Sequence, residues 1–236
     1  MRQRGITLIE LLIAMTIMTV VTTMVLMGWF ALQQSYSYSV SSNVQRDNAR
    51  QALSRMQREI RDAQTPTAGS AASAAISYAG PFSIVFYTTF NIAGNTSASL
   101  APRMVMYRLY SDGTVWRFSD VNGGGIAYVN TSPTTDYPSD SVWPWFVSEQ
   151  QYGEGAQLVV NHVTNYSSSP GNPVPLFQYT YYDGGNLVTA PSATNYNDDL
   201  SNTIAVTVRM LVDLVPGHTP VSADLQTTAQ LRNQRN

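Results

Sequence analysis

Cysteine is absent from all 236 residues, so no disulfide braces the fold, and thiol chemistry and Cys-ligated metals are excluded. Charge is scarce. Asp, Glu, Lys and Arg together make up 12% of the chain, for a formal net charge of −2. With that balance there is no strong footprint for phosphate contacts, so no nucleic-acid partner is expected. Histidine occurs only at His162 and His218. The first falls on an expected strand and the second follows Pro216-Gly217 in a turn, and both read as structural. No Gly-x-Ser-x-Gly and no Gly-Lys-Ser/Thr occurs, which removes the sequence support for a nucleophile elbow or a phosphate cradle. Proline is missing before Pro66, and Gly28 is the one glycine between Ile6 and Ala68. Nothing in the first 65 residues therefore stops a helix.

What is present begins at the N-terminus. Gly5 to Leu32, GITLIELLIAMTIMTVVTTMVLMGWFAL, is apolar for longer than the ~20 residues a membrane helix needs. From Ile6 to Gln45 the one side chain of the Asp, Glu, Lys, Arg and His classes is Glu10. A carboxylate in such a run is costly and marks a function by default. Arg2 and Arg4 precede the run, so MRQRG stays cytoplasmic and the rest of the chain lies on the far side. A secretory signal peptide fits worse, because the run exceeds an h-region of 7–15 residues and lacks a small-x-small site at its end.

Arg4-Gly5-Ile6-Thr7-Leu8-Ile9-Glu10-Leu11-Leu12 resembles the class III signal of type IV pilins and type II secretion pseudopilins. The resemblance implies cleavage between Gly5 and Ile6 by a prepilin peptidase, followed by N-methylation of Ile6. Ile6 stands where the family usually has phenylalanine. Cleavage leaves a cationic amine a few residues from Glu10. In a stack of subunits, Glu10 of one chain can pair with the Ile6 amine of its neighbour and set their register. Two ions that are costly to bury singly are tolerable as a pair. Leu8, Leu11, Leu12, Met15 and Met18 form the face expected to pack in the filament core.

The helix is expected to continue past the membrane. Gln33 to Ser39 is polar without a breaker. Ala49, Leu53, Met56, Ile60 and Ala63 then recur at helical spacing, with Arg46, Arg50, Arg55, Arg58, Arg61 and Asp62 on other faces. A helix from Ile6 to about Gln64 would be roughly 87 Å long. No proline lies in the membrane half, only Gly28 and the cluster Thr16, Thr19, Thr22 and Thr23. Ala68 to Ala79 reads as a linker. Ser83–Thr89, Met104–Tyr110, Thr114–Phe118, Gln157–Val163, Phe177–Tyr182, Ile204–Val212 and Leu225–Leu231 read as strands. Ser111-Asp112-Gly113 makes a hairpin turn and Asp183-Gly184 a second turn. Arg55 to Ala63, the hairpin ending in Trp116-Arg117, Val159 to Val163, Phe177 to Gly184 and Leu231-Arg232-Asn233 follow in the order seen in large minor pilins. In this they resemble the PilW type and the J-type minor pseudopilins.

The expected fold class is α+β: a long N-terminal helix, with a membrane half and an amphipathic half, packed on a mainly antiparallel β-sheet head. Residues 1–5 are the leader, 6–32 the membrane or filament-core helix, 33–64 its amphipathic continuation and 65–236 the exported head. The expected role is structural rather than enzymatic, with no cofactor. The resemblance implies as partners the prepilin peptidase, the membrane, the inner-membrane assembly platform, a major pilin and other minor pilins. The precursor would wait in the inner membrane with its N-terminus cytoplasmic, and the assembled subunit would sit in a pilus or pseudopilus. Alternatives are a pseudopilin of type II secretion or DNA uptake, a tip adhesin using Trp143, Trp145 and Phe146 in the loop Gly123 to Gly155, and a signal-anchored exported enzyme or binding domain. Asp198 and Asp199, or Asp136 and Asp140, are oxygen ligands that suit Ca²⁺, though turn chemistry explains them as well. Tyr36 and Tyr38 suit a membrane interface. Asn95, Asn130 and Asn165 open Asn-x-Ser/Thr patterns.

Overall fold

The structure, a computed structural model, describes residues 7–65, 74–89, 103–119, 156–165, 173–191, 201–213 and 223–232. The chain divides into two compact units, Met1–Val44 and Gln45–Asn236. Helix α1, Leu8–Arg61, is 54 residues long and passes through both.

In the first unit α1 is the whole of the described structure. Its large apolar side chains from Leu8 to Leu32 are all at least half exposed, on every face. The segment is long and apolar enough to cross a membrane, with a mean hydropathy of 2.2 and no buried residue in its most apolar stretch. The threonines that interrupt it carry their polarity inward. Thr16, Thr19, Thr22 and Thr23 donate their hydroxyls to the carbonyls of Ile13, Met15, Met18 and Thr19 at 2.7–2.8 Å. Each hydroxyl is satisfied within the helix, which lowers its cost in hydrocarbon.

In the second unit the same helix changes character. The apolar stripe is buried as its spacing requires: Ala49, Met56, Ile60 and Ala63 are fully covered, and Ala52 and Leu53 nearly so. They share one core with residues from two antiparallel sheets. The first sheet is a meander in the order β1-β2-β3-β4-β5: Ile76–Ala79, Ser83–Thr88, Arg103–Leu109, Val115–Ser119 and Ala156–Val160. The second has the order β7-β6-β8-β9: Asn186–Ala190, Phe177–Asp183, Thr203–Val212 and Ala223–Gln230. From the first sheet Ile84, Phe86, Val105, Tyr107 and Leu109 enter the core, and from the second Phe177, Tyr179, Val206, Val208 and Met210. Tyr78, Val85, Met104, Met106 and Phe118, the alternate positions of the first sheet, form a separate cluster, as period-two strands demand. On the second sheet Arg209 of β8 donates two bonds to Asp224 of β9, at 3.1 and 2.7 Å. That hydrogen bond holds the Asp224 carboxyl below its ordinary value.

Several expectations are corrected. The helix ends at Arg61, short of Gln64, because the end of β2 captures the next residues. Ala63 bridges Thr88, and the Gln64 amide donates to Tyr87 O at 2.8 Å. Ala68 to Ala79 is not all linker, since its last four residues are β1, with Ile76 and Tyr78 buried. The turn after β6 leads into a further strand, β7. The strand expected over Gln157–Val163 stops at Val160. His162 lies outside it in the left-handed region (φ 59), and Val163 makes an isolated bridge to Val212. The head carries two sheets where one was expected.

Asn165 sits where the chain passes from one sheet to the other. Fully buried, it donates to Val174 O and Arg209 O and accepts from the Leu211 amide at 2.7 Å. An amide so committed is a structural staple, not an exposed glycan acceptor. Asn95 and Asn130 lie outside the described residues.

Gly113 closes the β3–β4 hairpin at φ +81, and a Cβ there would stand 2.8 Å from Val163 O. Gly113→Ala is expected to lose about 1–2 kcal/mol from the left-handed backbone alone, and more from the displaced 162–163 segment. Thermal unfolding of the variant would show it. A transition unchanged from the parent would contradict the close approach.

Candidate functional site

Two sets of residues stand out, one in each unit. In the first, Glu10 sits in the first turn of α1, where a carboxylate opposes the positive end of the helix dipole. Its amide donates to Thr7 O at 3.1 Å, as does that of Leu11 at 3.2 Å. Among the described residues nothing pairs with its side chain. Leu8, Leu11, Leu12, Met15 and Met18 recur at helical spacing and are all more than half exposed. So are Ile9, Ile13, Ile17 and Val20 on the other faces, so the isolated subunit does not single out one packing face. The segment offers one fixed anion near the end of an apolar rod that nothing in its own unit covers. Gly5 and Ile6 lie outside the described residues, as do Asp136, Asp140, Asp198, Asp199, His218 and the aromatic loop Gly123 to Gly155. Among the described residues no group of three or more His, Cys, Asp or Glu side chains is gathered for a metal ion.

The second set went unnoticed in the sequence. Glu59 of α1 is fully buried, yet charged groups and one phenol satisfy it completely. Its Oε1 accepts from Arg55 Nε at 3.1 Å. Its Oε2 accepts from the Tyr107 hydroxyl at 2.8 Å and from Arg117 Nε at 2.9 Å. Arg55 also donates through Nη1 to Gln157 Oε1 at 2.8 Å. One carboxylate thus ties the helix to β3 and β4 directly, and through Arg55 to β5. The signal was legible. Glu59 lies three residues after Met56 and four before Ala63, so it falls on the apolar stripe itself, where a carboxylate needs partners.

Burial holds the Tyr107 phenol well above its ordinary value. The neighbouring Glu59 charge adds to the rise and Arg117 works against it. The unfolded phenol ionises near pH 10 and the folded one later. The contribution of neutral Tyr107 is therefore complete below about pH 10 and lost as pH rises toward the folded value. Between about pH 9 and pH 11 the parent protein should lose more stability than Tyr107→Phe does. Parallel pH profiles of the two would count against the buried bond to Glu59.

Comparison with known proteins bears on the first set. Residues 1–26 match the family model described as "Prokaryotic N-terminal methylation motif". Comparison with curated proteins returns no match. That motif is the one carried by pilin- and pseudopilin-type precursors that a prepilin peptidase processes, and the apolar part of α1 behind it is long and apolar enough to cross a membrane.

Proposed function

We propose that this chain, a precursor with a pilin-type methylation motif, becomes a minor structural subunit of a type IV pilus, cut between Gly5 and Ile6 and placed at or near the start of the filament. The observation that carries the reading is the rod Leu8–Leu32, apolar on all faces and exposed on all faces, with Glu10 as its one charge. Such a surface is stable in lipid and, once extracted, only among other rods like it. In that packing Glu10 takes the methylated Ile6 amine of the next subunit, and Leu8, Leu11, Leu12, Met15 and Met18 fill the surrounding core. The role is structural, not enzymatic. The large two-sheet head and the likeness of the late motifs to PilW-type and J-type proteins support a minor rather than a major subunit. The same chemistry would serve a pseudopilus, which differs in the machine it belongs to.

The test follows the protein in cells with and without prepilin peptidase. With the peptidase, the chain should run shorter by its leader and part of it should appear in sheared surface filaments. Without the peptidase, the longer form should remain wholly in the membrane fraction. A chain of constant length in both strains would overturn the proposal.

A further inference from the structure

On the second unit, α1 and strand β5 bound a groove of about 410 Å³. The helix side is Asn48, Gln51, Ala52 and Arg55, and the strand side is Gln157 to Asn161. β5 is the last strand of its sheet, and among the described residues it pairs with β4 alone. Such an edge presents backbone donors and acceptors to any extended chain laid beside it. Its Leu158 is 45% exposed, an apolar foothold beside the amides.

Charge selects the occupant. Arg55 is 32% exposed, whereas Glu59 and Arg117, with which it shares a cluster, are 1% and 13% exposed. One carboxylate among two guanidiniums leaves one positive charge in excess. Arg55 is the member that lines the groove. Its fork has five N–H groups, and the bonds to Glu59 and Gln157 use two of them. The remaining donors suit a carboxylate, the partner an arginine fork binds best. A second copy of β5 would bring the same positive excess and be repelled.

We propose that this groove binds an extended acidic peptide segment of a partner protein, its backbone added to the edge of β5 that is unpaired among the described residues and one Asp or Glu side chain held by Arg55. The amides of Asn48, Gln51, Gln157 and Asn161 serve the flanking polar groups. The site lies wholly in the second unit and stands whether or not the N-terminus is processed.

Fluorescence anisotropy on the full chain in detergent tests it, using a fluorescein-labelled, blocked peptide Thr-Val-Glu-Val-Thr as the probe. The peptide should bind saturably. Its Gln analogue should bind at least tenfold more weakly, and a version N-methylated at alternate amides should lose binding. Gln51→Glu, at an exposed helix position, should weaken the Glu peptide about tenfold with thermal unfolding unchanged. Absence of saturable binding, equal binding of the Gln analogue, or undiminished binding of the N-methylated peptide would overturn the proposal. So would competition by sodium acetate at concentrations equal to the peptide's, which would reduce the site to one for small anions.

Discussion

Glu10→Ala is expected to be cleaved and methylated like the parent chain, yet to fall about a hundredfold or more in sheared filaments. In the proposed function cleavage falls between Gly5 and Ile6, on the N-terminal side of Glu10, so it does not need the carboxylate. Assembly does, in this account. On the proposed function the new Ile6 amine is cationic and enters a packing of apolar rods. Removing one partner of a buried ion pair costs roughly 3–5 kcal/mol, because the other is left uncompensated, and ~1.4 kcal/mol is a factor of ten in an equilibrium. Glu10→Gln should behave like the alanine variant, since an amide can accept a hydrogen bond but cannot neutralise the amine. Glu10→Asp keeps the charge and should be partly retained, limited by its shorter reach. The readout is the ratio of this chain in filaments to that in membranes, by immunoblot. Normal entry of Glu10→Ala into filaments would remove Glu10 from the assembly mechanism and leave apolar packing as the sole driving force.

The second large effect concerns the head. Glu59→Ala leaves Arg117, 13% exposed, and the buried Tyr107 hydroxyl without their acceptor. The expected loss is ~3–5 kcal/mol. For a domain of this size that is roughly 10 °C in the unfolding midpoint. Glu59→Gln should lose less, since its carbonyl can still accept from Tyr107. Replacing Glu59, Arg55 and Arg117 together with Leu or Met, with Tyr107→Phe to remove the orphaned hydroxyl, should recover much of the loss, because a satisfied ion cluster and a well-packed apolar one differ little in stability. Thermal unfolding of the full chain in detergent, followed by near-ultraviolet circular dichroism, measures all three. A Glu59→Ala midpoint within 2 °C of the parent, as expected for a surface substitution of ~0.5 kcal/mol, would mean that the cluster does not hold the helix to the sheet.

The parts of the fold that follow from periodicity were legible in the sequence. The stripe Ala49, Leu53, Met56, Ile60 and Ala63 is buried as spaced. The hairpin around Asp112-Gly113 forms with its glycine at positive φ, and the Asp112 carboxylate accepts from the Thr114 amide at 2.9 Å. β8 forms where Ile204–Val212 reads as a strand, although it is buried along nearly its whole length rather than on alternate residues. Short elements in weak composition were not legible. β1 has four residues in a stretch of alanine and serine, and only Ile76 and Tyr78 distinguish it from a linker. Its burial comes from pairing with β2, which local sequence does not report. β7 was within reach, because Asp183 pairs with Asn186 across Gly184-Gly185 and Leu-Val-Thr follows. The division into two sheets depends on Asn165, Val163 and the Leu176 and Phe177 amides, which donate to Pro81 O. These long-range contacts carry no local pattern.

The candidate sites divide in the same way. The N-terminal segment is a linear motif whose chemistry is written in consecutive residues, and Glu10 stands out because nothing near it is charged. The Glu59 cluster joins residues 48 to 58 positions apart. Only the anomaly of a carboxylate on an apolar stripe announces it, and its partners are fixed by the register of β3 and β4.

The central claim is that the chain is cut at Gly5–Ile6 and carried by its helix into a filament. Mass spectrometry of the N-terminal peptide, taken from sheared surface filaments and from membranes of the same cells, tests it most directly. The account predicts a filament peptide that begins at a methylated Ile6 and is sparse beside a major subunit. An N-terminus retaining Met1, found only in the membrane fraction, would contradict it.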